Sequence, residues 1–204
     1  MSKSVEFFDR QFRQQPTDAA LSLNPFEEQA LPFLSGEVLD FGCGMGNLAF
    51  AAARRGCHVT TLDASPAAVD HIRTRATAEG VAVSASLADL RKYKIACDYD
   101  CVVSIGLLMF FDCPTAFRVL TELQARVRPG GYAVVNVLVE GTSYLDMFDP
   151  ESHCLFAPSE LRDRFAGWSI AQSEFSDFEA PGHTVKRFST VIARKPYAQQ
   201  AHGA

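Results

Sequence analysis

The stretch that most restricts what this chain can fold into is Val38-Leu39-Asp40-Phe41-Gly42-Cys43-Gly44-Met45-Gly46-Asn47. A short apolar run from Glu37 to Phe41 reads as a strand with an acid near its end. It passes into three glycines at alternate positions and then into the helix-like run Leu48-Ala49-Phe50-Ala51-Ala52-Ala53. Glycines at a strand-to-helix turn permit backbone angles and close ligand approach that side chains would block. The G-x-G-x-G spacing is one residue short of the dinucleotide fingerprint G-x-G-x-x-G. Asp40 makes the same distinction electrostatically. A carboxylate just ahead of the turn repels a pyrophosphate resting on the helix N-terminus and attracts a ligand that carries cationic groups.

The next segments extend the pattern. Cys57 to Leu62 reads as a second strand ending at Asp63, a little under twenty residues past the loop, where an adenosine ribose would present its hydroxyls. Asp63 could instead cap the helix opening at Pro66, but Ser65 already supplies that cap. Val81–Leu87 reads as a third strand leading to Asp89, and Tyr99–Ile105 as a fourth, apolar enough to be central. Apolar residues at Ala116, Phe117, Leu120, Leu123 and Val127 give a helical period, which Pro129-Gly130-Gly131 is expected to terminate. Tyr132–Val139 is a fifth strand. After a short helix over 159–165, the segments 168–175 and 185–193 read as an antiparallel pair joined by a Pro-Gly turn. Alternating strands and helices argue for a parallel α/β sheet. Near the N-terminus, Val5, Phe8 and Phe12 share one helical face, suited to packing on the core or partly covering a ligand.

These residues resemble the class I S-adenosylmethionine (SAM)-dependent methyltransferases. The likeness rests on 38–46, on Asp63 and on Arg128-Pro129-Gly130-Gly131-Tyr132, and spans roughly residues 34 to 194. Within that superfamily the chain is most similar to the TehB-type (tellurite-resistance) methyltransferases. Leu107-Leu108-Met109-Phe110-Phe111, Phe156-Ala157-Pro158-Ser159-Glu160-Leu161 with Gly167-Trp168, and Lys186-Arg187-Phe188-Ser189-Thr190 carry the narrower match. The resemblance implies a doubly wound, mostly parallel seven-stranded sheet of order 3-2-1-4-5-7-6, strand 7 antiparallel, in a Rossmann-like domain. An N-terminal helical segment (1–33) would precede the core (34–194) and a tail (195–204) would follow.

On that basis each strand end receives an expected role toward SAM. Asp40, Phe41, Gly42, Cys43, Gly44 and Gly46 receive the methionine ammonium and carboxylate, with N–H groups near Asn47 and Leu48 facing the anion. Asp63 accepts both ribose hydroxyls, next to Ala64 and Ser65. Asp89 accepts from the adenine amino group, with Ala88 and Leu90 beside it. Ser104, Ile105 and Gly106 line the methionine portion near the reactive methyl. The acceptor pocket is expected from Leu107–Phe111, from the loop 141–156 with Tyr144, Met147, Phe148, His153 and Phe156, and from the segment before the last strand. His183 and Arg187 are the expected catalytic pair. The TehB family carries a His-Arg pair near this turn and an Arg further on. Here His183 stands where that later Arg would be, the pair is missing and Arg187 remains, leaving the site poorer in cations than an oxyanion such as tellurite would want.

The expected activity is therefore methyl transfer from SAM to a small-molecule acceptor, such as a chalcogen oxyanion or thiol. A non-catalytic SAM-binding regulator is the alternative. An NAD-dependent oxidoreductase is a third, predicting a glycine one position later and no Asp40. A formal net charge of −5 in 204 residues argues against a nucleic-acid partner, as does the lack of a [D/N/S]-P-P-[Y/F/W] motif after the fourth strand. No apolar run approaches membrane-spanning length and the first residues lack a secretory core, so a cytoplasmic monomer or homodimer is expected. The six cysteines form no C-x-x-C pair and no zinc spacing. They are read as reduced, mostly buried thiols, with no metal.

Overall fold

The computed structural model describes residues 3–14, 22–150 and 152–197. Much of the expected tail lies outside these ranges. Helix α1 (Lys3–Gln14) and helix α2 (Pro25–Ala30) precede strand β1 (Glu37–Phe41). Then come α3 (Asn47–Arg54), β2 (His58–Asp63), α4 (Pro66–Glu79), β3 (Val83–Leu87) and β4 (Tyr99–Ile105). The second half holds α5 (Cys113–Ala125), β5 (Val127–Leu138), α6 (Glu160–Asp163), β6 (Ser169–Ala180) and β7 (Thr184–Arg194).

The seven strands form one sheet in the order β3-β2-β1-β4-β5-β7-β6, as the family likeness implies. All neighbouring pairs from β3 to β5 are parallel, and β7 runs antiparallel between β5 and β6. Strand order reverses between β1 and β4, which opens a crevice beyond their carboxyl ends. Each strand face is buried by a different layer, since residues alternate sides. Leu39, Val102, Leu120 and Val135 pack on the α5 side, while Val38, Leu48, Val103 and Ile192 pack on the α3 side. A third cluster, Met109, Phe110, Leu138, Met147 and Phe148, closes the crevice end of β5.

Local chemistry explains the element boundaries. Ser65 and Asp112 cap α4 and α5 by accepting from the N–H groups of Ala68 and Thr115. Asn24 and Glu27 form a reciprocal capping box at α2, each side chain accepting from the other residue's backbone. The expected terminator Pro129-Gly130-Gly131 does not end α5. That helix stops at Ala125, and 129–131 lie inside β5, in a register irregularity between the pairs Tyr99–Val127 and Cys101–Tyr132. Arg128 pins this bulge through an ion pair with Asp100 at 2.9 Å.

The expectation of six reduced thiols is corrected as well. Cys113 and Cys154, 41 residues apart, form a disulfide. Asp112 caps the helix that Cys113 begins, and the N–H of Cys154 donates to the carbonyl of Met109 at 3.0 Å. Those anchors, invisible in spacing, bring the two sulfurs together. Cys43, Cys57, Cys97 and Cys101 are free. Among the described residues no helix is long and apolar enough to cross a membrane, and no acid, His and Cys cluster is arranged to hold a metal.

Candidate active site

The glycine loop closes the end of β1 over β2. The N–H groups of Gly42 and Cys43 donate to the carbonyl of Leu62, and the N–H of Gly44 donates to Oδ2 of Asp63 at 2.9 Å. Gly42 has φ +85°, and a Cβ there would meet Leu107 at 2.7 Å. Gly46 starts α3 at φ +75°, and a Cβ there would meet Ile72 at 2.9 Å. Both positions therefore exclude side chains by backbone angle and by space together.

The loop floors a cavity of about 380 Å³ that, among the described residues, is lined by four carboxylates: Glu27, Asp40, Asp63 and Asp89. Asp40 is only 6 % exposed, and among the described residues no protein group donates to it. Burial first, then the charges of Glu27 and Asp63, pushes its pKa up to about 8. Burial also raises Asp63, against backbone N–H groups of Ser65, Gly44 and Ala64 that favour its anion. Glu27 is raised by burial too. Arg91 is the one cation lining the cavity among the described residues, and it stands beyond Asp89 over the Phe111 ring. The loop end of the cavity is thus built to hold positive charge.

Helix α1 covers the mouth. Phe8 meets Phe110 edge-on at 5.1 Å, and Phe12 lies 3.4 Å from the Cβ position of Gly44. Asp9 ties the helix down. Its Oδ1 accepts from the Ser65 hydroxyl at 2.7 Å and from the N–H of Ala67 at 3.0 Å, while Arg13 donates to Oδ2. The Ser65 hydroxyl is the main influence that lowers the Asp9 pKa.

Residues 38–131, which hold this loop and its acids, match the family model of a methyltransferase domain. The chain is similar to the probable SAM-dependent methyltransferase TehB of Haemophilus influenzae (strain 10810), 26% identical over 166 residues, covering 78% of this chain and 57% of that protein. The domain match and the TehB likeness support a class I SAM-dependent methyltransferase. It is also similar to Hemagglutinin 1 of Eikenella corrodens, 29% identical over 170 residues covering 78% of this chain and 55% of that protein. The chain spans little more than half the length of these two relatives. The crystal structure of TehB from Haemophilus influenzae shares the fold, with TM-score 0.74 and 20% identity over 94% of this chain and 67% of that one.

Seen as a methyltransferase site, the cavity brings most of the expected residues together. Asp40, Gly42, Cys43, Gly44, Asn47 and Leu48 line its loop end. Asp63, Ala64 and Ser65 line it from β2, Asp89 and Leu90 from the segment after β3, and Ile105 and Gly106 from β4. Four expected residues do not line it. Phe41 points into the α5-side core, Gly46 sets the start of α3, and Ala88 uses its N–H to continue pairing with the Asp63 carbonyl. Ser104 is wholly buried within β4. Burial pushes the Cys43 thiol well above its ordinary value, so it fills a tight turn rather than reacting. Glu27 and Asn24 were missed, whereas Phe8 and Phe12 lie on the N-terminal helical face expected to pack on the core or partly cover a ligand. Asn24-Pro25-Phe26-Glu27 announces a helix start, but nothing in it shows that the helix faces the cavity.

A second cavity of about 440 Å³ adjoins the first across Ile105, Gly106 and Phe110. Met109, Phe110 and Met147, all from the segments expected to build the acceptor pocket, line it, joined by Phe178, Glu179, Lys186 and Phe188 from β6 and β7. The other loop aromatics turn elsewhere. Tyr144 lies 4.7 Å from the Lys186 ammonium, Phe148 stacks on His153 at 5.0 Å, and Phe156 sits in the core against Phe117. His183 and Arg187, the expected catalytic pair, line neither cavity. Lys186 and Phe188 face inward, so strand alternation turns Arg187 outward, where it pairs with Asp177 through two bonds of 2.9 and 2.7 Å. His183 is exposed at the hairpin tip with φ +58°.

Proposed function

We propose that this protein transfers the methyl group of SAM to a small-molecule acceptor. The observation that carries the reading is Asp40: a buried carboxylate without a protein donor, beside the glycine turn, in the same cavity as Asp63. An ammonium supplies the missing partner and returns Asp40 to its charged form. The N–H groups at the start of α3 suit the neighbouring carboxylate. Asp63 spends one lone pair of each oxygen on the N–H groups of Gly44 and Ser65 and keeps acceptor capacity for two ribose hydroxyls. Asp89 and Leu90 offer an acceptor and an apolar wall to the base. A bound SAM supplies an activated sulfonium methyl. What the chain contributes is placement and exclusion of water, by α1 over the first cavity and by the aromatic lining of the second.

The second cavity bears on the acceptor. One cation, Lys186, faces it together with Glu179, among aromatic and methionine side chains. That lining suits an apolar nucleophile and suits a thiol better than a chalcogen oxyanion, which needs several donors of positive charge. A SAM-binding regulator would have no use for an open cavity joined to the cofactor site, and NAD would set its pyrophosphate against Asp40. The test is thermal shift with SAM, S-adenosylhomocysteine and NAD, followed by measurement of S-adenosylhomocysteine release with thiols, phenols, amines, selenite and tellurite. Stabilisation by SAM and not NAD, with turnover of an apolar acceptor, is expected. Stabilisation by NAD alone overturns the reading.

A further inference from the structure

We propose that Asn136 selects the acceptor: the second cavity takes a flat aromatic molecule whose nucleophile is a hydroxyl or amine, its X–H donating to the Asn136 side-chain carbonyl. The inference rests on the methyl-transfer reading and deepens it. Asn136 is wholly buried in β5, where an asparagine is out of place on β-propensity and on burial. Its Nδ2 donates to Oγ1 of Thr190 on β7 at 2.8 Å, but its Oδ1 has no hydrogen-bond partner. A buried amide oxygen left unpaired is a standing penalty that a bound donor removes.

Its place in the fold says which donor. The N–H of Gly106 donates to the backbone carbonyl of Asn136 at 3.0 Å, and Gly106 with Ile105 lines both cavities. Asn136 itself lines the second cavity, and with Gly106 beside it the residue stands by the passage where an acceptor atom must meet the methyl group. Around it the walls are flat rings, Phe26, Phe110 and Phe188, with Phe178 beside Phe26 at 5.5 Å and Phe188 at 5.8 Å. Such walls stack on a planar ligand. Lys186 and Glu179 give no net charge to the lining, so the ligand they admit is neutral or singly charged. Asn136 is a recognition and positioning residue here, fixing the direction of the nucleophile's lone pair.

The experiment uses two probes that share one flat ring system, 2-naphthol and its methyl ether 2-methoxynaphthalene, titrated into the full chain loaded with S-adenosylhomocysteine. Binding is followed calorimetrically, so no turnover is needed. Wild type is expected to bind the naphthol at least tenfold more tightly, because the ether cannot donate to Oδ1. Asn136→Leu should lose that preference while keeping its thermal shift with SAM, and Asn136→Asp, which keeps an acceptor, should retain it. Equal binding of the two probes by wild type overturns the inference even if neither variant folds, as does a preference for the ether. If S-adenosylhomocysteine itself fails to bind, the methyl-transfer reading falls first, and the two failures are told apart.

Discussion

Replacing Asp40 by asparagine should make the free protein more stable and less able to hold its cofactor. Folding lifts this carboxyl from an ordinary 3.8 to about 8. Between those values the folded state holds a proton that the unfolded chain has released, so stability falls as pH rises through that window. At pH 8.5 the shift is worth roughly 5 kcal/mol at about 1.4 kcal/mol per unit, and at pH 6 roughly 3 kcal/mol. An amide in the same place carries no such penalty but leaves its own polar atoms buried, which costs about 1–3 kcal/mol. The net gain at pH 8.5 is therefore on the order of 2–4 kcal/mol, or about 4–16 °C in Tm for a domain of this size. At pH 6 the gain should shrink to about 0–2 kcal/mol. Loss of the charge should also weaken SAM by about 10–100-fold, the range of a charge-assisted hydrogen bond. Thermal melts of both proteins at pH 6 and 8.5, with and without SAM, measure all of this. A variant that melts no higher than wild type at pH 8.5, or that keeps the full SAM shift, refutes the argument.

Three further outcomes are expected. SAM binding should strengthen as pH rises from 6 to about 8 and should release close to one proton at pH 7, since the cation selects the ionised form of Asp40; calorimetry in buffers of different ionisation enthalpy counts that proton. Asp9→Ala should free α1 from Ser65 and Ala67 and weaken SAM by roughly tenfold, the value of about one lost cap, at little expense to the rest of the fold. That loss can be read by titration, and an unchanged affinity would show that α1 does not act as a cover. Reducing the Cys113–Cys154 disulfide, whose sequence separation is 41, should remove about 3–4 kcal/mol and lower Tm by roughly 6–15 °C. Melts with and without a dithiol, with Cys113→Ser as control, decide it.

The sheet was legible from the sequence because its central strands β1, β4 and β5 are largely buried and read as apolar runs, and because the Gly42–Gly46 turn admits few substitutes. Asp40 and Asp63 could be placed because each ends a strand of that sheet. Arg187 was misread for a related reason: family position gives a register, but side chains alternate about it, and one step moves a residue from cavity to solvent. Glu27 and Asn24 could not be found, and for Phe12 packing and covering both stayed open, because which helix covers a cavity is settled by tertiary anchors such as the Asp9–Ser65 bond. The Cys113–Cys154 pairing was hidden by the same kind of long-range contact. Asn136 looked like one polar residue in a strand, and only full burial with an unpaired oxygen sets it apart.

The returning direction of β7 has a consequence for how such enzymes diversify. By running back alongside β5 it brings residues 186 and 188 to the crevice from the far end of the chain, whereas Glu27, Asp40, Asp63 and the glycine turn come from residues before 64. The second cavity thus takes part of its lining from a stretch that gives nothing to the first, although Ile105, Gly106 and Phe110 serve both. On the proposed methyl-transfer reading, repainting the β6–β7 hairpin would change what the second cavity admits while leaving Asp40, Asp63 and the glycine turn untouched.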